Sequence, residues 1–336
     1  MTGAPRSHFA VMGAGSWGTA FAKVLCDAGT PVRLWARRPE LAAAINETSH
    51  NPEYLADVVL PAAVRATGDA AEALDGASVV VLALPAQTLR ENLRRWVPLV
   101  PDGALYVSLA KGVELASLQR MSEVVRDVAG VPEAQVAVVT GPNLAGEIAR
   151  GHPSATVVAS TDLRAAERLQ RACASPYLRP YTNTDVVGCE LGGAVKNVIA
   201  MACGMAAGMG FGDNTKATIM TRGLAETARL GVAYGADPMT FAGLAGMGDL
   251  VATCSSPLSR NRTVGEKLGR GMSLAEVIAE QNQIAEGVKS CEAILGLAQA
   301  RDVEMPIVEH VVLAVHEGMP IPQVVRSLMS REPRSE

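Results

Sequence analysis

Short β-branched runs alternate with longer segments of helical periodicity from residue 8 to about residue 185. This alternation is typical of strand and helix units that build a parallel sheet. The run VVVLAL at Val79–Leu84 is continuously apolar, which predicts a strand covered on both faces. The predicted strands are Phe9–Gly13, Pro31–Ala36, Ser78–Leu84, Leu105–Ala110, Val136–Thr140, Thr156–Ala159 and Tyr177–Thr182.

The pattern changes after about residue 188, where strand-like runs stop and Ala, Met, Gly and Leu recur at helical spacing. Ala200, Gly204 and Gly208 share one helix face and would let a second helix approach closely. Each internal glycine costs about 1 kcal/mol against alanine in a helix, so the spacing indicates close packing or a broken helix. The sequence therefore predicts an α/β domain over 1–188, an all-α domain over 189–330 and a polar tail over 331–336.

Composition narrows the class of protein. The chain has 336 residues, enough for about two domains, and its 49% hydrophobic and 19% charged residues exclude a disordered chain. Thirty Lys and Arg residues against 34 Asp and Glu residues leave a net charge of −4. That balance provides no general attraction to nucleic acid or to an anionic membrane. We therefore expect no nucleic-acid partner, and an anionic ligand would be held by a few placed residues.

The six cysteines are scattered, without a C-x-x-C pair and without histidine at metal-ligand spacing. Neither a disulfide framework nor a zinc site is indicated, and we expect no metal. The N-terminal residues lack the pattern of a secretory signal. No uninterrupted apolar stretch approaches the roughly 20 residues that span a bilayer. We therefore expect a cytoplasmic protein without membrane insertion.

A glycine-rich turn follows the first predicted strand and precedes a predicted helix over Thr19–Ala28. In the pattern G-x-G-x-x-G, Gly13 permits the tight turn, Gly15 lets the backbone approach a pyrophosphate, and Gly18 lets the helix pack on the strand. The helix N-terminus then offers free N–H groups and a positive dipole to the phosphates. The alternative is a structural glycine turn. The context favours a Rossmann-type domain that binds NAD or NADP.

Two arginines follow the second strand, about 20 residues beyond the glycines. An acidic residue at this position binds the ribose hydroxyls of NAD, whereas arginine accommodates the 2′-phosphate of NADP. The segment LWARR carries Arg37 and Arg38 and no acid. The alternative is a pair of ordinary solvated arginines. We therefore favour NADP, with NAD tolerated.

Two lysines stand out as candidates for proton transfer. Lys111 follows the fourth long strand in LAKGVE, and Lys196 lies in ELGGAVKNVIAM, a segment of small and apolar residues. An amine buried in such surroundings holds its proton less tightly, which suits general acid–base chemistry. The alternative for Lys196 is a side chain that runs along the apolar surface at a helix end and keeps its ammonium in water.

The densest polar cluster is AGMGDLVATCSSPLSRNRTVG at 245–265. Its glycines and serines allow a ligand to approach backbone N–H groups, and Arg260, Asn261 and Arg262 are donors suited to an oxyanion. Arginine can also bind a phosphate through two parallel hydrogen bonds. The alternative is a basic surface loop.

Taken together, six motifs resemble the NAD(P)-dependent glycerol-3-phosphate dehydrogenases of bacteria, from Phe9 to about Val325. Each motif alone is unspecific, and the combination is highly specific. The motifs are GAGSWGTA, LAKGVE, GPNLAGE, GAVKNVIAMACG, DNTKATIMTRGLAE and the 245–265 cluster.

The resemblance implies a fold of two domains, with a helical C-terminal half like that of 6-phosphogluconate dehydrogenase, and a homodimer. It also implies the roles of individual residues. Asn143 departs from the family pattern, because many members have Ser or Thr there. The implied proton acceptor is Lys196, with Lys111 and Asp249 beside it. The implied cofactor contacts are Gly13, Gly15, Ser16, Trp17, Gly18, Arg37, Arg38, Lys111, Ala145, Arg260, Ile284 and Glu286. The implied substrate contacts are Lys111, Gly141, Asn143, Lys196, Asp249, Ser259, Arg260 and Asn261.

The resemblance further implies the interconversion of sn-glycerol 3-phosphate and dihydroxyacetone phosphate by hydride transfer, in the service of phospholipid synthesis. One alternative is a related two-domain reductase of keto acids, such as a β-hydroxyacid dehydrogenase or a ketopantoate reductase. The SRNR segment at 259–262 argues against it. A second alternative is a non-catalytic sensor that binds NADP. Lys111, Lys196 and Arg260 together argue against it, because binding alone needs no proton-transfer residue.

Overall fold

The computed structural model describes residues 7–280 and 285–332. The chain divides into two compact units. The first comprises Met1–Lys111 and Arg120–Cys189, and the second comprises Gly112–Gln119 and Glu190–Glu336. The main division lies within two residues of the predicted boundary, and the assignment of Gly112–Gln119 to the second unit is a feature that sequence reasoning did not anticipate.

The first unit is built on one eight-stranded sheet in the order β3-β2-β1-β4-β5-β6-β7-β8. Neighbouring strands are parallel except β6 and β7, which are antiparallel. The order reverses between β1 and β4, which is the switch point where doubly wound sheets bind nucleotides. The strands are β1 (His8–Met12), β2 (Val32–Trp35), β3 (Arg65–Thr67), β4 (Ala77–Leu82), β5 (Leu105–Ser108), β6 (Val136–Thr140), β7 (Ser154–Ala159) and β8 (Leu178–Asn183).

Two separate apolar clusters lie on opposite faces of this sheet. Strand β4 contributes Val79 and Val81 to one cluster and Val80 and Leu82 to the other, and all four side chains are fully buried. This confirms the prediction that the continuous apolar run is covered on both faces. The helices of the unit are α1 (Ser16–Asp27), α2 (Pro39–Thr48), α3 (Ala70–Leu74), α4 (Ala86–Trp96), α5 (Met121–Ala129), α6 (Ala145–Ala149) and α7 (Leu163–Cys173).

All seven predicted strands are present, with Val136–Thr140 matched at both ends and the other ends within two residues of the prediction. Strand β3 was missed because Arg65–Thr67 is only three residues long and carries no apolar run. Helix α1 begins at Ser16 rather than at Thr19, so the second half of the glycine motif is already helical. The expectation of a parallel sheet is wrong at β6 and β7.

The second unit is helical, and within its described residues no strand occurs. Its first helix, α8, begins at Val186, shortly before the division between the units, and a π-helical turn at Leu244–Gly248 leads directly into α11. The helices are α8 (Val186–Gly208), α9 (Asp213–Ala233), α10 (Pro238–Ala242), α11 (Asp249–Ser255), α12 (Arg260–Gly269), α13 (Leu274–Ala279), α14 (Glu286–Gln299), α15 (Pro306–His316) and α16 (Ile321–Met329).

Helices α8 and α12 pack backbone against backbone through glycines on both sides. A Cβ on Gly204 would lie 2.1 Å from the carbonyl oxygen of Arg262, and a Cβ on Gly265 would lie 2.0 Å from that of Met201. Real Cβ atoms do not approach a backbone oxygen so closely. The predicted small-residue face of α8 is therefore a packing surface. The glycines that line the crossing are Gly204, Gly208, Gly265 and Gly269.

Helix α8 is also long and apolar enough to cross a membrane, although Glu190 and Lys196 interrupt its apolar residues, in line with the expectation of no uninterrupted apolar stretch of that length. However, 89% of its most apolar window is buried inside the structure. The apolar character of α8 is thus explained by packing in the core of a helical unit.

The segment Gly112–Gln119 belongs to the second unit although both flanking strands, β5 and β6, lie in the first. Leu118 adopts a left-handed backbone conformation with φ +55°. Its side chain lies against Gly296 in α14, about 3.2 Å from where a Cβ would be. A larger residue at position 296 would displace this leucine.

The N-terminus of α15 is held by a carboxylate from another helix. Glu226 in α9 is 2% exposed and accepts hydrogen bonds from the backbone N–H of Ile307 at 3.0 Å and of Val308 at 3.4 Å. These amides lack partners within their own helix, so the carboxylate satisfies them. Burial raises the pKa of Glu226 to about 7, and the two amides, Arg229 and Arg222 oppose that shift.

Gly204→Ala tests the helix crossing. Because the added methyl group meets the backbone of α12, the substitution should lower the free energy of unfolding by about 2 kcal/mol despite the better helix propensity of alanine. Gly212→Ala is the control for the methyl group alone, since nothing lies within 4 Å of that position, and at the N-cap of α9 it should cost less than about 1 kcal/mol. Urea denaturation of both variants measures the difference, and equal stabilities would contradict the packing role.

Glu226→Gln tests the buried carboxylate. Between pH 4.5 and 7 an unfolded chain releases this proton while the folded chain retains it, so stability should fall as pH rises through this window. The contribution is at most roughly 1.4 kcal/mol per pH unit. Denaturation from pH 5 to pH 8 should show a smaller decline in the glutamine variant. Parallel curves for the two proteins would exclude a raised pKa.

Candidate active site

The three glycines of the turn between β1 and α1 have different geometric roles. Gly13 has φ +133°, and a Cβ there would lie 2.4 Å from the carbonyl oxygen of Ala83. A Cβ on Gly18 would lie 1.9 Å from the carbonyl oxygen of Gly13, so the helix approaches the strand as closely as its backbone allows. Nothing lies within 4 Å of a Cβ on Gly15. The space above Gly15 is where the motif places a pyrophosphate.

The first turn of α1 is open to a ligand. No side chain caps the helix, so the amides of Ser16 and Trp17 are available to an anion at the positive end of the helix. Trp17 Nε1 is buried and has no hydrogen-bond partner among the described residues. Ala145, at the start of α6, packs with Trp17 in one small apolar cluster. The structure therefore brings three predicted cofactor residues together.

Asn51 supports this turn and was missed in the sequence. Its side chain is fully buried, and Nδ2 donates to the carbonyl oxygen of Ala14 at 2.9 Å and to Thr19 Oγ1 at 2.8 Å. Its Oδ1 accepts from the backbone N–H groups of Glu53 and Tyr54, each at 3.3 Å. Asn51 lies in a loop without any recognisable motif, so no local signal could have identified it.

The two arginines after β2 differ in their surroundings. Arg38 forms an ion pair with Glu53. Arg37 is exposed and has no ion pair with any of the described residues. Only Arg37 therefore offers a guanidinium without a protein counter-charge, at the position where the motif places the ribose of a dinucleotide.

At the carboxyl ends of β5 and β6, Lys111 Nζ donates to the carbonyl oxygen of Gly141 at 2.7 Å. Gly141 has φ +118°, a conformation that favours glycine. Two residues later, Asn143 Nδ2 donates to Thr156 Oγ1 at 3.0 Å. The structure thus brings together three predicted substrate residues, Lys111, Gly141 and Asn143, at one edge of the sheet.

In the second unit, Lys196 forms a buried ion pair. Its Nζ lies 2.8 Å from Asp249 Oδ1 and donates to Thr253 Oγ1 at 2.6 Å. Thr253 Oγ1 in turn donates to Asp249 Oδ1 at 3.3 Å. Lys196 is 8% and Asp249 1% exposed, so the ammonium does not extend into water. The structure therefore favours the proton-transfer interpretation of Lys196 over the solvated alternative.

Thr253 was missed by sequence reasoning, although a signal exists. It follows Asp249 by four residues in α11, and residues at that spacing share a helix face. An ammonium carries three N–H donors. Asp249 and Thr253 take two of them, which leaves one for a ligand oxygen.

A second polar group lies at the N-terminus of α12. Ser259 caps the helix through its hydroxyl, which accepts from the N–H of Arg262. Asn261 is 8% exposed; its Nδ2 donates to Asn197 Oδ1 at 2.9 Å and its Oδ1 accepts from the N–H of Gly287 at 2.9 Å. One N–H of Asn261 remains for a ligand. Asn197, which accepts the hydrogen bond from Asn261, directly follows Lys196 in the sequence. The side chains that hold Asn261 and that carry the ammonium therefore stand on adjacent residues.

Arg260 is the first residue of α12 and is exposed. A cation at a helix N-terminus, together with the helix dipole, favours a bound anion such as a phosphate. Glu286 is the first residue of α14, and Ser290 Oγ donates to its carboxylate at 3.4 Å. The remaining predicted cofactor residue, Ile284, lies outside the described residues.

The residues of the first unit fit a dinucleotide: an open glycine, uncapped helix amides, an unpartnered indole N–H and an exposed arginine at the expected positions. The residues of the second unit fit a proton donor and an anion site. One chain therefore carries the groups required to bind a nicotinamide cofactor and to exchange a proton with a small phosphorylated substrate.

Comparison with known proteins identifies the family of this chain. A family model described as NAD-dependent glycerol-3-phosphate dehydrogenase N-terminus matches residues 8–166, and the corresponding C-terminus model matches residues 185–326. The glycerol-3-phosphate dehydrogenases [NAD(P)+] of Frankia casuarinae and Streptomyces avermitilis are 62% and 63% identical over 327 residues, with 97% of each chain covered. A crystal structure of glycerol-3-phosphate dehydrogenase from Coxiella burnetii superposes with a TM-score of 0.91 at 34% identity, covering 97% of this chain and 99% of that one. The chain belongs to the NAD-dependent glycerol-3-phosphate dehydrogenase family.

Proposed function

We propose that the chain interconverts sn-glycerol 3-phosphate and dihydroxyacetone phosphate, using NADPH or NADP in preference to NADH or NAD. The observation that carries the proposal is the buried Lys196–Asp249–Thr253 cluster in a chain that also has an open dinucleotide turn. A purely binding protein has no need of a buried ammonium and carboxylate, because such a pair is costly to bury. The names of the relatives at 62% and 63% identity support the substrate.

The proton chemistry follows from the contacts of Lys196. A bound nicotinamide supplies or accepts the hydride at carbon 2 of the substrate. In the reducing direction, Lys196 Nζ donates a proton to the oxygen on carbon 2 as negative charge develops there. Asp249 stabilises the charged amine, and the Thr253 hydroxyl fixes its orientation. In the oxidising direction the neutral amine accepts the hydroxyl proton.

Binding of the phosphate is assigned to the N-terminus of α12. Arg260 supplies a planar guanidinium, and Asn261 supplies the N–H that its own network leaves over. Ser259 orders the first turn of the helix through its cap. Fixing the phosphate places the reacting carbon, which lowers the entropic cost of the transition state.

The rival keto-acid reductases are disfavoured by the same residues, because their substrates carry no phosphate for the N-terminus of α12. A sensor of NADP without catalysis is disfavoured by the buried Lys196–Asp249 pair. The six cysteines are free thiols, which supports a reducing cytoplasmic location. A role in supplying glycerol 3-phosphate for phospholipid synthesis follows from the proposed reaction in its reducing direction. Assembly as a homodimer is proposed from the family resemblance.

The direct experiment follows NADPH oxidation in the presence of dihydroxyacetone phosphate. The unaltered chain should turn over, and Lys196→Met should lower kcat by about 10³-fold, because a single general acid contributes 10² to 10⁴. Methionine fills the same space without a charge. NADPH affinity should be retained, as measured by fluorescence titration.

Lys267→Ala is the control for that experiment, since Lys267 forms an exposed ion pair with Glu280 and such pairs contribute little. No turnover of dihydroxyacetone phosphate with either nicotinamide would reject the proposed function. Full activity in Lys196→Met would leave the reaction in place and reject the role of the lysine.

Arg37→Ala and Arg38→Ala form a matched pair for cofactor choice. Arg37 has no protein counter-charge and Arg38 is paired with Glu53. Loss of a charge-assisted contact to the 2′-phosphate should raise the KM for NADPH by about tenfold or more in Arg37→Ala. The KM for NADH should stay unchanged, and Arg38→Ala should resemble the unaltered chain. A preference for NADH in the unaltered chain would overturn the assignment to NADP.

A further inference from the structure

Three residues form a directed hydrogen-bond chain between β6 and β7. Thr156 in β7 is fully buried, and its hydroxyl donates to the carbonyl oxygen of Thr140, the last residue of β6, at 2.8 Å. Asn143, in the loop after β6, donates from Nδ2 to the same Thr156 hydroxyl at 3.0 Å. The antiparallel pairing of β6 and β7 places Thr140 opposite Val157, next to Thr156.

Elementary chemistry fixes which group donates and which accepts in each of these two hydrogen bonds. A backbone carbonyl only accepts hydrogen bonds, so the single hydrogen of the Thr156 hydroxyl is used on Thr140. The hydroxyl can therefore only accept from Asn143. The end of the Asn143 side-chain amide that faces Thr156 must then be the NH2 group, and Oδ1 must point away from Thr156.

The Asn143 side chain therefore presents Oδ1, a hydrogen-bond acceptor, on the side away from Thr156. Asn143 Oδ1 is buried and has no hydrogen-bond partner among the described residues. The hydroxyl of Thr140 is also buried, and it too has no hydrogen-bond partner among the described residues. Buried polar atoms are almost always hydrogen-bonded, so two such atoms at one strand end point to a ligand. The ligand group at Asn143 must donate a hydrogen bond.

We propose that Thr156 is a positioning residue that locks the Asn143 amide, so that Oδ1 accepts a hydrogen bond from the free hydroxyl on the substrate carbon farthest from the phosphate. This inference rests on the proposed function. Both sn-glycerol 3-phosphate and dihydroxyacetone phosphate carry that hydroxyl. The lock makes Asn143 a specificity determinant for a hydroxylated substrate over a deoxy analogue.

The neighbourhood of Asn143 suits a hydroxyl group. Lys111 Nζ donates to Gly141, two residues before Asn143, so a cationic donor and an amide acceptor flank the same turn. A hydroxyl can accept from an ammonium and donate to an amide oxygen at once. A phosphate or keto oxygen only accepts, and Asn143 Oδ1 would repel it.

The experiment compares two substrates in three proteins. The substrates are dihydroxyacetone phosphate and hydroxyacetone phosphate, which lacks the hydroxyl; the proteins are the unaltered chain, Thr156→Val and Thr156→Ser. Valine has the same shape without the hydroxyl, so the amide is free to rotate. Thr156→Val should lower kcat/KM for dihydroxyacetone phosphate by about tenfold, the equivalent of one hydrogen bond. It should leave kcat/KM for hydroxyacetone phosphate unchanged, and Thr156→Ser should restore discrimination.

Two results would overturn the proposal. If kcat/KM fell equally for both substrates and NADPH bound more weakly in the titration, the Asn143 acceptor would be assigned to the carboxamide of the cofactor. Unaltered discrimination in Thr156→Val would show that the lock is not used. A purely structural effect of the substitution would lower the thermal unfolding temperature and would lower kcat/KM equally for both substrates.

A measurement without substrate separates this proposal from the proposed function. In ligand-free protein labelled with 15N-asparagine, the side-chain NH2 signals of Asn143, identified by their loss in Asn143→Asp, should shift in Thr156→Val and not in Thr156→Ser. Signals that stay in place in Thr156→Val would refute the lock even if dihydroxyacetone phosphate is turned over. Shifted signals without any turnover would support the lock and refute the reaction.

Discussion

The backbone contact between α8 and α12 is the constraint on which the second unit depends. Glycines on both helices remove every Cβ from the crossing, so the two backbones approach to a distance that side chains would prevent. Helix α8 carries Lys196 and Asn197, and α12 carries Arg260 and Asn261. The hydrogen bond from the Asn261 side-chain amide to Asn197 Oδ1 forms because the helices are this close. Lys196 in α8 and the N-terminus of α12 are thus held at a fixed distance by the glycines of the crossing.

Burial of charge is the second constraint. Lys196 and Asp249 lose their hydration in the helical core, and their mutual attraction, together with the hydrogen bond from Lys196 to Thr253, offsets that cost. Glu226 shows the same principle without a cation in direct contact, since backbone amides of α15 donate to its carboxylate while burial raises its pKa to about 7. Buried polar groups therefore hold the Lys196 amine in one part of the unit and anchor helix α15 in another.

Much of the fold could be predicted from local pattern. Seven of the strands were located because parallel strands buried on both faces leave continuous apolar runs, and the change of texture near residue 188 separated the two units. Strand β3, the antiparallel β7 and the exchange of Gly112–Gln119 into the second unit were not predicted. A three-residue edge strand carries no periodicity, and strand direction depends on how a connection crosses the sheet.

The site divides in the same way. Residue types and their order were legible in the sequence: the glycine motif, the two arginines after β2, the lysines and the SRNR segment, because each is a local pattern with a direct chemical meaning. The partners of these groups became visible in the folded chain alone. Folding joined Lys196 to Asp249 and Thr253, paired Arg38 but not Arg37 with an acid, and set the direction of the Asn143 amide through Thr156. Such pairings join residues up to 57 positions apart, and the free energy that selects them comes from burial, which no local pattern records.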